Sequence, residues 1–249
     1  MSKRISKTAS FLYGKNSILE RVKTSPQTIK EVFIRDGFDA VAIVNAVKKA
    51  RIPLSVVSQR ELSKMKRADN LQGIIAKIDS FKYVDFDDLL NSSQKTLIFL
   101  DHLYDPQNLG VIIRTAACFG NFAVIIPKHD ACEVTDSVLH VACGGENYVP
   151  VSRITNLSQA LRKAKDNGYW IVGGVVEDGE DITNTELPFP LGIVMGSEGK
   201  GIRQGLLKHI DKKVYIPMTG AALSLNVAMA SLVFCYEAIR QGKNEKKGN

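Results

Sequence analysis

Long apolar runs are missing from this 249-residue chain: the longest, such as Phe122–Pro127 and Leu191–Met195, are only as long as a strand. A membrane-spanning helix needs roughly 18 or more such residues, so no span is read here. Aromatic residues make up 7% of the chain, with one Trp, and the four cysteines (Cys118, Cys132, Cys143, Cys235) form no C-x-x-C pair. His129 with Cys132 and His140 with Cys143 have spacings that a metal could use. However, Cys143 falls in a small-residue Cys-Gly-Gly turn and His140 on a helix face, so no metal is expected and the cysteines read as free thiols in a reducing cytoplasm. Nucleotide fingerprints are absent too. No G-x-G-x-x-G follows a strand, and Gly196–Gly201 lacks the spacing and the Ser/Thr of a phosphate loop. Met1–Ser10 is basic and Ser/Thr-rich, but the apolar Phe11-Leu12-Tyr13 that follows is too short for a secretory signal, so a basic tail is expected.

What remains describes a globular protein, with 45% apolar and 24% charged residues in a length that suits one large domain or two ordinary ones. The charge is unevenly spread. Residues 1–94 hold 17 Lys/Arg against 10 Asp/Glu, whereas residues 95–249 hold 16 against 16, so the surplus of +7 lies wholly in the first part. A basic block beside a neutral one fits a polyanion partner. A solvated Lys-rich surface would look the same from composition alone.

Two patterns divide the chain. Residues 1–78 read as a small α/β unit, with strands at Glu31–Arg35, Leu54–Val57 and Gly73–Ile78 and an amphipathic helix at Phe38–Ala50. Residues 79–95 are acidic, then polar, and read as a linker with room for one helical turn. From residue 96 to 249 strands alternate with helices, which implies a parallel sheet. The strands expected there are Leu97–Leu100, Phe122–Ile126, Tyr148–Val151, Trp170–Val176, Leu191–Met195 and Lys213–Ile216. The helices are Asn108–Phe119, Val134–Ala142, Leu157–Asn167, a short one near Gly205–Ile210, and Val227–Arg240.

Three polar segments interrupt this pattern at strand ends: Leu100–Gly110 running on to Arg114-Thr115-Ala116, Met195–Gly201, and Ile216–Gly220 followed by Ser224-Leu225-Asn226-Val227. Open α/β sheets place ligands at such loops, and three of them suggest one composite site. Asn108, after Asp105-Pro106, is placed to cap a helix. Arg114 is expected on much the same side of that helix as Asn108. It lies among apolar residues and needs a carboxylate or phosphate partner, with Glu198 the candidate for a structural ion pair.

The order D-P-x-N-x-G-x-x-x-R-[TN]-A, G-x-E-G-x-G and I-P-M-x-G…S-L-N-V resembles the SpoU/TrmH-type RNA ribose 2′-O-methyltransferases of the SPOUT superfamily. The likeness covers about residues 96–240. It implies a SPOUT α/β-knot methyltransferase domain with a C-terminal trefoil knot over roughly 187–240, behind a ribosomal-protein-like RNA-binding domain. The implied cofactor is S-adenosyl-L-methionine, and the implied partners are RNA, ribosomal before transfer RNA, and a second copy of the chain in a homodimer. The carried-over cofactor residues are Met195, Gly196, Gly201, Ile216, Met218, Gly220, Leu225 and Asn226. Gly196, Gly201 and Gly220 would admit close backbone approach to the nucleoside, although plain turn glycines would look alike. The carried-over catalytic residues are Arg114, Asn108, Glu198, Ser224 and Asn226. A guanidinium with a pKa above about 12 suits a phosphate clamp and charge stabiliser better than a base. Glu198 would orient Arg114 or the helix cap, and Ser224 and Asn226 would hold the ribose or the cofactor loop. A catalytically silent RNA-binding factor on the same fold is the alternative of a different class. In the first domain, Gln72-Gly73 matches a family landmark, but Leu71 stands where the family often has His.

Overall fold

The computed structural model describes residues 10–67, 71–91, 96–221 and 223–245. Nearly all of the expected basic tail therefore lies outside the described residues. The chain forms two compact units, Met1–Lys82 and Tyr83–Asn249.

In the first unit, β1 (Ser10–Tyr13), α1 (Lys15–Thr24), β2 (Ile29–Arg35), α2 (Val41–Lys49), β3 (Leu54–Val57), α3 (Gln59–Met65) and β4 (Ile74–Ile78) follow one another. The sheet order is β1-β4-β2-β3, with β2 parallel to β3 and β4 antiparallel to both of its neighbours. β1 is the Phe11-Leu12-Tyr13 cluster, paired with Ile75–Lys77. α3 starts with a capping box: Glu61 N–H donates to Ser58 Oγ (3.3 Å) and Ser58 N–H donates to Glu61 Oε2 (2.9 Å). The Ser58 hydroxyl also donates to Glu61 Oε2 (2.7 Å), and that bond, with the Ser58 N–H bond, holds the Glu61 carboxyl below its ordinary value. Leu71 is buried against Tyr13, Leu62 and Ile75, so the position where the family often has His belongs here to the core.

The second unit runs α4 (Phe86–Asn91), β5 (Thr96–Leu100), α5 (Pro106–Phe119), β6 (Phe122–Pro127), α6 (Asp136–Ala142), β7 (Val151–Ile154), α7 (Leu157–Asp166), β8 (Trp170–Val175), β9 (Glu180–Asp181), β10 (Leu191–Met195), α8 (Gln204–Leu207), β11 (Lys212–Tyr215) and α9 (Val227–Glu245). Its seven strands pair in the order β7-β6-β5-β10-β8-β11-β9, and every pairing is parallel. The near-continuous apolar burial of β5, β6 and β10 is what a sheet covered on both faces requires.

Three local differences from the sequence reading have plain causes. Part of the expected 79–95 linker is α4, because Phe86, Leu89 and Leu90 recur at helical spacing and bury into the core, with Phe86 edge-on to Phe99 at 6.1 Å. The strand expected at Tyr148–Val151 begins at Val151, since Gly145–Asn147 turn in a 3-10 helix. α5 starts at Pro106 and not at Asn108: Asp105 is its cap, accepting the Gln107 N–H at 2.8 Å, with Pro at the first helical position. Among the described residues no helix is long and apolar enough to cross a membrane.

The topology fixes where a site can form. From β5 the chain moves outward through β6 and β7, while β10, β8 and β11 lie on the other side. The carboxyl ends of β5 and β10 are thus adjacent at a switch point, with Met195 paired to Leu100 on one side and Gly174 on the other.

Candidate active site

β10 ends at Met195, and the chain then folds back on itself. Ser197 N–H donates to Gly201 O (3.2 Å) and Gly201 N–H to Ser197 O (2.9 Å), closing a small loop. Gly196 makes this possible, because a β-carbon there would lie 2.1 Å from the Gly201 carbonyl carbon and 2.3 Å from the Ile202 nitrogen. Its lack of a side chain is therefore required by the protein itself. Gly201 has φ +63, a left-handed conformation that favours glycine, and a β-carbon at Gly220 would meet open space.

Beside this loop lies a cleft of ≈ 220 Å³. Met195, Phe234 and Gly174 contribute to its lining, and Gly174 carries Met195 Sδ and Phe234 Cε2 so close (3.0 and 3.2 Å from its absent β-carbon) that a side chain would crowd them. Ile216, Met218 and Leu225 come from the segment between β11 and α9. Met218 and Leu225 are 43% and 39% exposed, an apolar rim of the kind that marks a binding groove. Of the cofactor residues expected from the sequence, Met195, Gly196, Gly201, Ile216, Met218 and Leu225 line the cleft, whereas Gly220 and Asn226 do not. Apolar walls and a glycine-rich backbone fit the adenine and ribose of a nucleoside, the part of S-adenosylmethionine that carries its cationic sulfonium arm.

Next to the cleft, three side chains from the three motif segments join. Asn108 Nδ2 donates to Glu198 Oε1 at 3.0 Å, and Asn226 Nδ2 donates to the same oxygen at 2.6 Å and to Asn108 Oδ1 at 2.9 Å. Asn226 Oδ1 accepts the Ala228 N–H at 2.8 Å and so caps α9. Asn108 is 8% exposed, which makes its satisfied amide a structural requirement as well. This network corrects one expectation and decides another: Asn108 does not cap α5, and of the two partners expected for Glu198 the carboxylate meets Asn108, together with Asn226, and not Arg114.

Arg114 stands apart from that network. Six residues at 3.6 per turn rotate a side chain by about 240°, so Arg114 and Asn108 are roughly 120° apart and do not share a side. The guanidinium is exposed, and its one hydrogen bond among the described residues is from Nη1 to Cys143 Sγ at 3.4 Å, on the α6 side. Ser224 lines the cleft beside Leu225. The structure thus brings Asn108, Glu198 and Asn226 together, puts Ser224 at the cleft, and leaves Arg114 on another face of α5.

Asp101 and Arg203, neither of them among the expected site residues, form a second contact. Asp101 is 1% exposed, and its N–H donates to Met195 O at 2.9 Å, tying β5 to β10. Its carboxylate accepts the Arg203 backbone N–H (3.0 Å) and Nε–H (2.8 Å), and Nη2 completes the ion pair at 2.8 Å. This buried charge-assisted clasp fixes the exit of the Gly196–Gly201 loop. A buried Asp directly after an apolar strand was the available signal; its partner, 102 residues away, was not. The motif glycine Gly110 serves packing, since its β-carbon would fall 2.5 Å from Val141 Cβ on α6.

The whole arrangement has relatives. The SpoU rRNA methylase family model matches residues 95–236, and the model for RNA 2′-O ribose methyltransferase substrate binding matches residues 11–84. The chain is 36% identical over 238 residues to the 23S rRNA (guanosine-2′-O-)-methyltransferase RlmB of Haemophilus influenzae, covering 92% of this chain and 97% of that one. It is 35% identical to RlmB of Vibrio vulnificus, over 93% of this chain and 96% of that one. In structure it is similar to the SpoU methyltransferase AviRb from Streptomyces viridochromogenes in complex with AdoMet, at a TM-score of 0.78 and 20% identity over 94% of this chain and 90% of that one. With both family models matched in order along its length, the chain belongs to the SpoU rRNA methylase family.

Proposed function

We propose that this protein transfers the methyl group of S-adenosylmethionine to the ribose 2′-oxygen of a guanosine in large-subunit ribosomal RNA. The observation that carries the reading is the Asn108–Glu198–Asn226 network, which locks the three motif segments together beside an apolar, glycine-walled cleft. When bound, the cofactor supplies an activated sulfonium methyl. Met195, Gly196, Gly201, Ile216, Met218 and Leu225 would hold that cofactor, whose methyl would pass to the ribose oxygen, with the neutral thioether as leaving group and the hydroxyl proton lost to solvent. Such an in-line displacement gains mostly from positioning.

The residues divide that work. The network holds the cleft wall at Glu198 and the start of α9 in fixed relation, so bound cofactor meets a prearranged site. Ser224, at the cleft, offers its hydroxyl to the substrate ribose. Arg114 clamps an RNA phosphate and stabilises charge on the attacking oxygen; its exposed, lightly bonded guanidinium is free for that role. The basic first unit, residues 1–82, captures RNA, and the second unit carries the chemistry. A homodimer in the cytoplasm, joined through α5 and α9, belongs to the same reading: Met229, Leu232 and Tyr236 on α9 are 63%, 47% and 56% exposed and Val111 on α5 is 38% exposed. We read the segment from about 187 to 240 as the knotted part of the chain. Mapping ribose methylations of total RNA in a strain lacking the gene tests the assignment. Loss of one guanosine 2′-O-methyl from large-subunit RNA is expected, and an unchanged map overturns it.

A further inference from the structure

A second cleft, of ≈ 310 Å³, opens where β5, β6 and β7 end, away from the cofactor residues. We propose that it binds a phosphodiester of the substrate RNA strand, an inference that rests on the RNA methyltransferase reading above. The carboxyl end of a parallel sheet is where such a fold receives ligands, and this cleft has the volume of a small ligand pocket.

Its lining is rich in donors. His102, His129 and Arg203 bring N–H groups, Thr155 and Ser158 bring hydroxyls, and Asp130 is the single carboxylate among the lining residues. Arg203 is held in place by buried Asp101, which takes its Nε and one Nη2 contact. A guanidinium has five N–H donors, so three remain for an anion, and the side chain is 49% exposed. A pre-positioned fork with free donors suits a phosphate. His102 has φ +56, an uncommon left-handed backbone for a non-glycine residue, and its Nδ1 stands 3.2 Å from Asp101 Oδ1 without a hydrogen bond. Its Nε2 is thus the ring atom not turned to Asp101. α7, ten residues long, begins at the same cleft and adds the partial positive charge of its amino end.

The cleft is linked to the catalytic centre through few bonds. Asp101 binds Met195 O with its N–H and Arg203 with its carboxylate, and the loop from Gly196 to Gly201 lies between those two points. A phosphate on Arg203 would therefore seat the RNA strand against the outer end of the cofactor loop.

Arg203→Ala would deprive the buried Asp101 carboxylate of its guanidinium partner and could simply fail to fold, so the test uses His129→Gln combined with Ser158→Asp. An acid at the second residue of α7 favours the helix while opposing an anion in the cleft. RNA affinity should fall about tenfold, and the plot of log affinity against log salt should flatten by about 0.7–0.9 for the one phosphate no longer bound. S-adenosylmethionine affinity by calorimetry should stay as in the unaltered protein. As a second arm, inorganic phosphate titrated against the full chain should shift the His129 and His102 ring NMR signals, and the His102 shift should disappear in the variant. If the unaltered protein methylates RNA and the variant keeps its RNA affinity and slope, the phosphodiester site is overturned while the enzyme reading stands. Phosphate-dependent shifts with RNA binding unaffected would make this a site for free anions and also overturn the inference. If the unaltered protein transfers no methyl to any RNA, it is the enzyme reading that fails.

Discussion

Replacing Gly196 by Ala isolates the cofactor loop from the rest of the fold. The new β-carbon would sit 2.1 Å from the Gly201 carbonyl carbon and 2.4 Å from its oxygen, both backbone atoms that cannot step aside alone. The loop must open, which breaks the two hydrogen bonds between Ser197 and Gly201. At about 1 kcal/mol each, they amount to roughly 2 kcal/mol that bound cofactor would have to restore. That corresponds to about a 30-fold loss of S-adenosylmethionine affinity, read by titration calorimetry. Gly220→Ala is the companion, since its β-carbon meets nothing in the protein. The companion should leave urea stability unchanged and, because Gly220 does not line the cleft, cofactor affinity as well. Cofactor affinity in Gly196→Ala within threefold of the unaltered protein would refute the reasoning, because the cleft wall would then not depend on the closed loop.

Other consequences separate the roles of the site. Arg114→Ala should leave cofactor affinity nearly intact and lower turnover by about 10²–10⁴-fold; unchanged turnover on the true RNA would remove it from the mechanism. Asn226→Ala should impair both, since it loses two network bonds and the α9 cap, the last worth about 1 kcal/mol of stability in denaturant unfolding. Leu232→Glu, at an exposed site on α9, should halve the sedimenting mass without unfolding the chain, and an unchanged mass would place any dimer contact elsewhere. A chain beginning at Tyr83 should still bind S-adenosylmethionine but show weaker RNA binding with a shallower salt dependence, by about 0.7–0.9 for each phosphate that the first unit neutralises. The cut belongs at Tyr83 and not at the end of the expected 79–95 linker, because removing Phe86, Leu89 and Leu90 would strip the core. Equal RNA affinity and slope for both chains would reduce the basic first unit to a solvated surface.

Much of the second unit was legible because fully buried parallel strands are continuous apolar runs: β5, β6 and β10 stand out for that reason. α4 was hidden by its acidic flank. Asp87 and Asp88 made the segment look like a linker, although Phe86, Leu89 and Leu90 share one helical face. β1 was hidden by length, as four residues show too little alternation, and two-residue β9 is invisible for the same reason. At the site, the glycine- and asparagine-rich loops were evident, but their partners were not. Glu198 meets Asn108 across 90 residues and Asn226 across 28, which no local spacing encodes. Placing Arg114 beside Asn108 was an error of helical geometry that the residue count alone could have corrected.

Transfer of a methyl group from S-adenosylmethionine to a ribose oxygen of RNA leaves a product that alkali distinguishes from a methylated base. Purified protein should be incubated with methyl-tritiated S-adenosylmethionine and ribosomal RNA lacking native ribose methylation, and the RNA then hydrolysed in alkali. A 2′-O-methyl group blocks cleavage at its own nucleotide, so label is expected in an alkali-resistant dinucleotide that begins with guanosine, and at most about a hundredth as much with the Arg114→Ala protein. Label released entirely as mononucleotides, or no label with the unaltered protein, would contradict that transfer.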